Sequence, residues 1–175
     1  MRHGGDCIVT VVKRAVPVLL ILAALTAAPR PARAQEAIYV VRHAERADQS
    51  ADSLLSPEGV RRSQKLRDTL RDAGITTIFT SERRRTIDTA APLAAANHLT
   101  SQVVPAADMA AVAAKVAASG PRARVLVVGH SNTVPALLYA LHVDEDVTIA
   151  DSEHDNLFIV VPQKEGRPVF LRLKY

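Results

Sequence analysis

Residues 38–46 read Ile-Tyr-Val-Val-Arg-His-Ala-Glu-Arg. Four residues of buried-strand character run without a turn into Arg42, His43 and Glu45. A strand ending in charge anchors itself in the core and holds its last side chains at the carboxyl edge of a sheet. Open α/β sheets bind ligands at that edge. The pattern recurs at residues 125–128, an apolar run followed by Gly129-His130-Ser131-Asn132. Two such strands, each delivering one imidazole, with arginines nearby, predict a site for a phosphoryl group.

The rest of the chain alternates in type. Residues 47–53 are a polar loop, and Ser56-Pro57 reads as a helix cap and first helical residue. Gly59, Ser63, Leu66, Leu70 and Ala73 recur at helical spacing, and Gly74 ends the run. The basic residues of that helix, Arg61 and Arg62 among them, are expected on its solvated faces. Residues 76–80 predict a short β-branched strand. Ser81 is placed to cap a helix carrying Arg83, Arg84, Arg85, Thr89 and Ala90, which Pro92 should kink or split. Residues 102–104 predict a strand and 106–118 an Ala-rich helix. Residues 124–128 form a run buried on both faces, and 135–142 a helix. Residues 144–153 make an acidic loop with five carboxylates, followed by strands at 157–161 and 169–173. This alternation predicts a three-layer α/β domain, its mostly parallel sheet flanked by helices on both faces.

The first 34 residues stand apart. Lys13 and Arg14 precede an apolar run over residues 15–28, and Ala32-Arg33-Ala34 has the form of a cleavage site. This predicts a signal peptide over residues 1–34, with the domain at 35–175 and a periplasmic or secreted protein. The run is shorter than the ~20 residues a bilayer span needs, so no stable membrane insertion is expected after cleavage. Translation starting at Val12 would leave a more ordinary signal peptide.

The segment also distorts the charge balance. It holds five of the 22 Lys and Arg and one of the 18 Asp and Glu, leaving 17 of each in the domain. The overall isoelectric point near 9.6 is therefore no argument for nucleic-acid binding. The single Cys, Cys7, falls in the same segment, so the domain has no disulfide and depends on its core.

Four motifs resemble those of the histidine phosphatase superfamily, the phosphoglycerate mutase-like proteins. They are Arg42-His43-Ala44-Glu45, Leu55-Ser56-Pro57-Glu58-Gly59, the block from Thr80 to Ala90, and Val128-Gly129-His130-Ser131. They occur in the family's order over the chain from about Ala37 onward. The residues alone leave His43 and His130 free to exchange roles. The resemblance implies that His43 is the nucleophile, His130 its partner, and Arg42 and Arg85 phosphate-binding residues. It also offers Asp108 as proton donor, a residue that a helix-start reading explains equally well. Ser131 follows the second histidine where a phytase-like branch has an acid, which argues against that branch.

Glu45 is expected to orient Arg42 or a neighbouring helix beside the substrate site, and Asn132 to touch phosphate or cap a helix. His98, His142 and His154 read as surface residues. The histidine spacing matches no closed zinc pattern, so neither metal nor cofactor is expected. The expected activity is metal-independent hydrolysis of a phosphomonoester, or of a phosphohistidine, through a covalent phosphohistidine. The expected partner is a small phosphorylated substrate of unspecified identity, and the sequence gives no oligomeric state. Two alternatives stand beside this reading: a phosphomutase of the same superfamily, and a non-catalytic protein that binds a phosphorylated ligand.

Overall fold

The computed structural model describes Met1 and residues 36–175. The chain divides between Arg30 and Pro31, and everything below concerns the second unit. The predicted signal segment and Cys7 lie outside the described residues. Among the described residues, no helix is long and apolar enough to cross a membrane.

Ten elements follow one another: β1 (Ala37–Arg42), α1 (Pro57–Leu70), β2 (Thr77–Thr80), α2 (Arg84–Ala96), β3 (Gln102–Val103), α3 (Met109–Ala118), β4 (Arg124–Gly129), α4 (Thr133–Ala140), β5 (Asn156–Val161) and β6 (Val169–Lys174). The strands form one sheet in the order β3-β2-β4-β1-β5-β6. β1 pairs parallel with β4, and β2 pairs parallel with β4 and β3. β5 runs antiparallel to β1 and to β6. The expected mostly parallel sheet is thus a parallel half extended by an antiparallel ribbon.

Alternation along the central strands explains the two helical layers. Val125 and Val127 face one side of the sheet, where Val112 and Val116 of α3 and Leu137 and Leu138 of α4 pack. Leu126 and Val128 face the other side, against Leu66 and Leu70 of α1 and Leu93 of α2. All of these are buried, so β4 has no solvated face and reads as an unbroken apolar run.

The register of β1 and β4 builds the site. Arg42 lies opposite Gly129, so the residues that follow, His43 and His130, leave adjacent strands at the same level. The His43 amide continues the ladder by donating to the Gly129 carbonyl at 2.9 Å. On the other side of β4, Thr80 pairs with Val128, which brings Ser81 to the same edge.

Several local expectations shift. Ser56 caps α1 through its hydroxyl, which accepts from the Gly59 amide at 3.1 Å, as its position suggests. Ser81 does not cap α2. Arg83 holds the cap position without a side-chain bond, and the Arg84 amide donates to Asp52 Oδ1 from the 47–53 loop at 2.9 Å. Pro92 lies inside α2, which continues through it as one helix. The third helix begins at Met109, not Ala106, because Asp108 Oδ1 accepts from the Ala111 amide and sets the boundary there. α4 begins two residues earlier than expected, at Thr133, whose hydroxyl accepts from the His130 amide at 2.8 Å.

Candidate active site

His43 and His130 are both buried, with ring centroids 5.3 Å apart in an edge-on arrangement. His43 Nδ1 lies 2.8 Å from the Ala44 carbonyl oxygen. A carbonyl can only accept, so Nδ1 carries the proton and Nε2 keeps its lone pair. Burial, followed by the charges of His130, Arg85 and Arg42, pushes this imidazole down to about 3, while the Ala44 bond opposes the shift. His43 is therefore neutral at pH 7 and presents a bare nitrogen, the form that can attack phosphorus.

His130 is fixed in the opposite sense. Arg85 NH2 lies 3.4 Å from its Nδ1 and can only donate, so Nδ1 accepts and Nε2–H donates to Ser81 Oγ at 3.0 Å. The Ser81 hydroxyl in turn bonds Thr86 Oγ1 at 2.9 Å. Burial and then Arg85 lower this imidazole to about 4, with Glu82 opposing. Without a bound anion it is neutral, not a charged donor.

Arg42 is 5% exposed at the end of β1. The acidic loop after α4 cradles it: NH1 donates to the Ala150 carbonyl at 2.7 Å, and NH2 lies 3.5 Å from Asp151. Arg85, on the first turn of α2, donates from NH1 to the Ala51 carbonyl at 2.7 Å. Both guanidinium groups are lowered, burial being the first cause. Arginine nonetheless stays charged. The Nε groups of Arg42 and Arg85 are buried without a hydrogen-bond partner. A buried orphan donor costs about 1–3 kcal/mol, so two of them beside one cleft favour an acceptor there.

These four side chains line one cleft of about 410 Å³. Asn132, at the cap position of α4, lines it too; its side chain makes no capping bond. Two expected site residues are placed elsewhere. Asp108 caps α3 and is not among the residues lining the cleft. Glu45 takes the second of its two expected roles: it holds a neighbouring helix and not Arg42, its Oε1 accepting from both Nε and NH2 of Arg62 at 2.7 Å and tying the loop after β1 to α1. Arg62 is accordingly a half-buried tether and not a solvated surface residue.

The structure adds residues that sequence reasoning missed. Glu82 and Asp151 are the carboxylates lining the cleft among the described residues. Glu82 Oε2 accepts from the Ala106 amide at 2.9 Å, and that bond is the first cause holding its carboxyl below the usual range. Arg46 and Arg83 complete the charged lining. His154, read as surface, is half-buried, and its Nδ1–H donates to the His43 carbonyl at 2.8 Å. Thr89, whose hydroxyl accepts from the Ala44 amide at 2.9 Å, fixes the turn after His43. Glu82, Thr89 and Arg83 sat inside a motif already quoted. The place of Arg46 in the cleft and the bond of His154 to His43 are set by tertiary folding alone. Among the described residues, no group of three His, Cys, Asp or Glu side chains is arranged to hold a metal ion.

The fold is that of the phosphoglycerate mutase-like α/β proteins, and its site sets two neutral imidazoles beside one buried and one half-buried guanidinium group at one sheet edge. Residues 38–109 match the family model described as the histidine phosphatase superfamily (branch 1), a span that holds Arg42, His43 and Arg85 and stops before His130. The structure of the protein histidine phosphatase SixA complexed with tungstate is similar, at 19% identity, TM-score 0.63, and coverage of 79% of this chain and 96% of that one. The mycobacterial glucosyl-3-phosphoglycerate phosphatase is similar at 15% identity, TM-score 0.63, and coverage of 80% and 98%. So is a protein described as mycobacterial hydrolase 1, at 16% identity, TM-score 0.63, and coverage of 77% and 96%. No curated protein sequence matches the chain.

Proposed function

We propose that this chain is a phosphatase that hydrolyses phosphomonoesters through a phosphohistidine formed on His43. The observation that carries the reading is the pair of buried, unpartnered Nε donors on Arg42 and Arg85, flanking a histidine whose Nε2 is bare. In the proposed first step, Nε2 attacks phosphorus and the ester P–O bond breaks. The two guanidinium forks bind the non-bridging oxygens, where their planar donors match the charge that develops. The leaving oxygen needs a proton. His130 can carry one on Nδ1 once a phosphoryl dianion offsets the repulsion of Arg85, and Nε2–H stays on Ser81. In the second step water attacks the phosphohistidine, the P–N bond breaks, and orthophosphate leaves.

Two structural neighbours are named for a protein histidine phosphatase and a sugar-acid phosphate phosphatase; the first holds tungstate, a tetrahedral oxyanion like phosphate. We propose hydrolysis over phosphoryl transfer between sugars because the structural neighbours named for an activity are phosphatases. Export from the cytoplasm, with cleavage after Ala34, belongs to the same proposal and rests on residues 1–34 alone. N-terminal sequencing of the protein recovered from its host tests that part.

The catalytic test is direct. His43→Ala should abolish release of 4-nitrophenol from its phosphate and remove the acid-labile, base-stable label left by a radioactive phosphoryl donor. Arg85→Ala should cost about 10²-fold in kcat, by analogy with losing one oxyanion donor. Full turnover by His43→Ala would overturn the reading. Stoichiometric phosphate uptake without turnover by the unaltered protein would favour the ligand-binding alternative.

A further inference from the structure

The phosphoryl group accounts for only half of the positive charge in the cleft. Arg42, Arg85 and the two imidazoles supply its donors, yet Arg46 and Arg83 line the same cavity. Arg46 lies in the loop after β1, where its backbone bridges Leu55; Arg83 sits just before α2. Neither position is demanded by the fold. Arg83 Nε has Glu82 at 3.4 Å, but the second oxygen of that carboxylate is taken by the Ala106 amide. Arg46 is half-buried; its NH2 donates to the neutral amide oxygen of Gln49 at 2.6 Å, and its charge helps to lower the exposed Asp48 carboxyl, with which it makes no ion pair within 4 Å.

This clustering is unfavourable without an anion. Arg46 depresses both Arg42 and Arg85, and Arg83 depresses Arg85, as like charges do at short range. The cavity is also too large for one phosphoryl group. At about 410 Å³ it falls in the range of sites that enclose a whole small ligand, about 300–1,000 Å³.

Resting on the proposed phosphatase reading, we infer that Arg46 and Arg83 form a leaving-group subsite, so that the preferred substrate is a phosphomonoester whose leaving group bears its own anionic group. The transferred phosphoryl binds between Arg42 and Arg85. The second anion, a carboxylate or a further phosphate, lies outward against Arg46 and Arg83. Glu82 lies against Arg83 and Asp151 against Arg42, but two carboxylates face four guanidinium groups in this lining, which leaves an excess of two positive charges.

Two esters differing in one charge test the subsite: phenyl phosphate and 4-carboxyphenyl phosphate. Affinity is measured by calorimetry on the His43→Ala protein, which separates binding from turnover. The carboxylated ester should bind about tenfold tighter, as expected for a focused cationic cleft. Adding Arg46→Gln and Arg83→Gln should bring the two affinities to within about twofold. On the protein with His43 intact, the ratio of kcat/KM for the two esters should fall by a similar factor in the double variant. Orthophosphate binding and circular dichroism of the double variant confirm that it is folded. Equal affinity for the two esters, or a preference that survives the double substitution, overturns the subsite even if both esters are hydrolysed. A preference that collapses as stated supports the subsite even if neither ester is turned over, in which case the phosphatase reading alone fails.

Discussion

Three imidazoles stand in file at the sheet edge. His130 lies 5.3 Å from His43, and His43 lies 5.7 Å from His154, between ring centroids. The first two face the cleft. His154 reaches the site only through the main chain, donating to the carbonyl of His43 at 2.8 Å. That bond, the Gly129 ladder bond on the His43 amide and the Ala44 bond on its ring leave His43 little freedom. His154 is thus a positioning residue. Removing a single neutral hydrogen bond costs about 1 kcal/mol, so His154→Ala should lower kcat roughly fivefold to tenfold while KM stays nearly constant. Asn at 154 keeps an N–H donor at similar reach and should recover most of the loss. Steady-state kinetics of the two variants checks both points; a change confined to KM, or no rescue by Asn, would show that His154 does not act through His43.

At the scale of elements, α1 is held against the turn after β1 by contact too close for a side chain. A Cβ on Gly59 would clash with the Glu45 carbonyl, a backbone atom that cannot swing aside. Glu45 and Arg62 then clasp the same two elements with paired bonds at 2.7 Å. Gly59→Ala should therefore destabilise the protein by about 1–3 kcal/mol, although alanine favours helices, and thermal unfolding measures the difference. Much of this scale was legible in the sequence. The apolar runs ending in Arg42-His43 and Gly129-His130 announced two buried strands, because alternation and terminal charge are local properties. The small residues Gly59 and Ser63 marked the buried stripe of α1 for the same reason. The start of α3 was legible in part: Ala106 and Ala107 are good helix formers and drew the expected helix too early, while Asp108 already read as a helix-start acid and its side chain accepts from the Ala111 amide. Arg46 and His154 were opaque for a different reason. The cleft that Arg46 lines and the His43 carbonyl that His154 bonds are both assembled by the fold, and nothing within a few residues of either one signals them.

Across the whole molecule the buried histidines make stability depend on pH, and the sign follows from linkage. Unfolded, each imidazole takes up a proton near 6.5; folded, His43 does so at about 3 and His130 at about 4. Above the unfolded value both states hold these rings neutral, and their contribution is complete. As pH falls below 6.5 the unfolded chain binds protons that the folded chain refuses, so stability declines through the interval down to the folded values. His154, lowered mainly by burial, adds in the same direction. The carboxyls of Glu82, Glu153 and Asp155, all held below their usual range, extend the loss at the acid end. The melting temperature should therefore drop between pH 7 and pH 4.5, and the part of the drop above about pH 5.5 precedes appreciable titration of ordinary carboxylates. The cleft offers a control on the origin of the effect. An oxyanion between Arg42 and Arg85 favours the protonated form of His130, so saturating orthophosphate or tungstate should flatten the decline. His130→Gln should flatten it without added anion, because the unfolded state then has one proton fewer to gain. Scanning calorimetry across that range, with and without tungstate, reads both. A melting temperature constant from pH 7 to 4.5 would mean that these imidazoles are hydrated in solution, and the desolvated site described here would have to be given up.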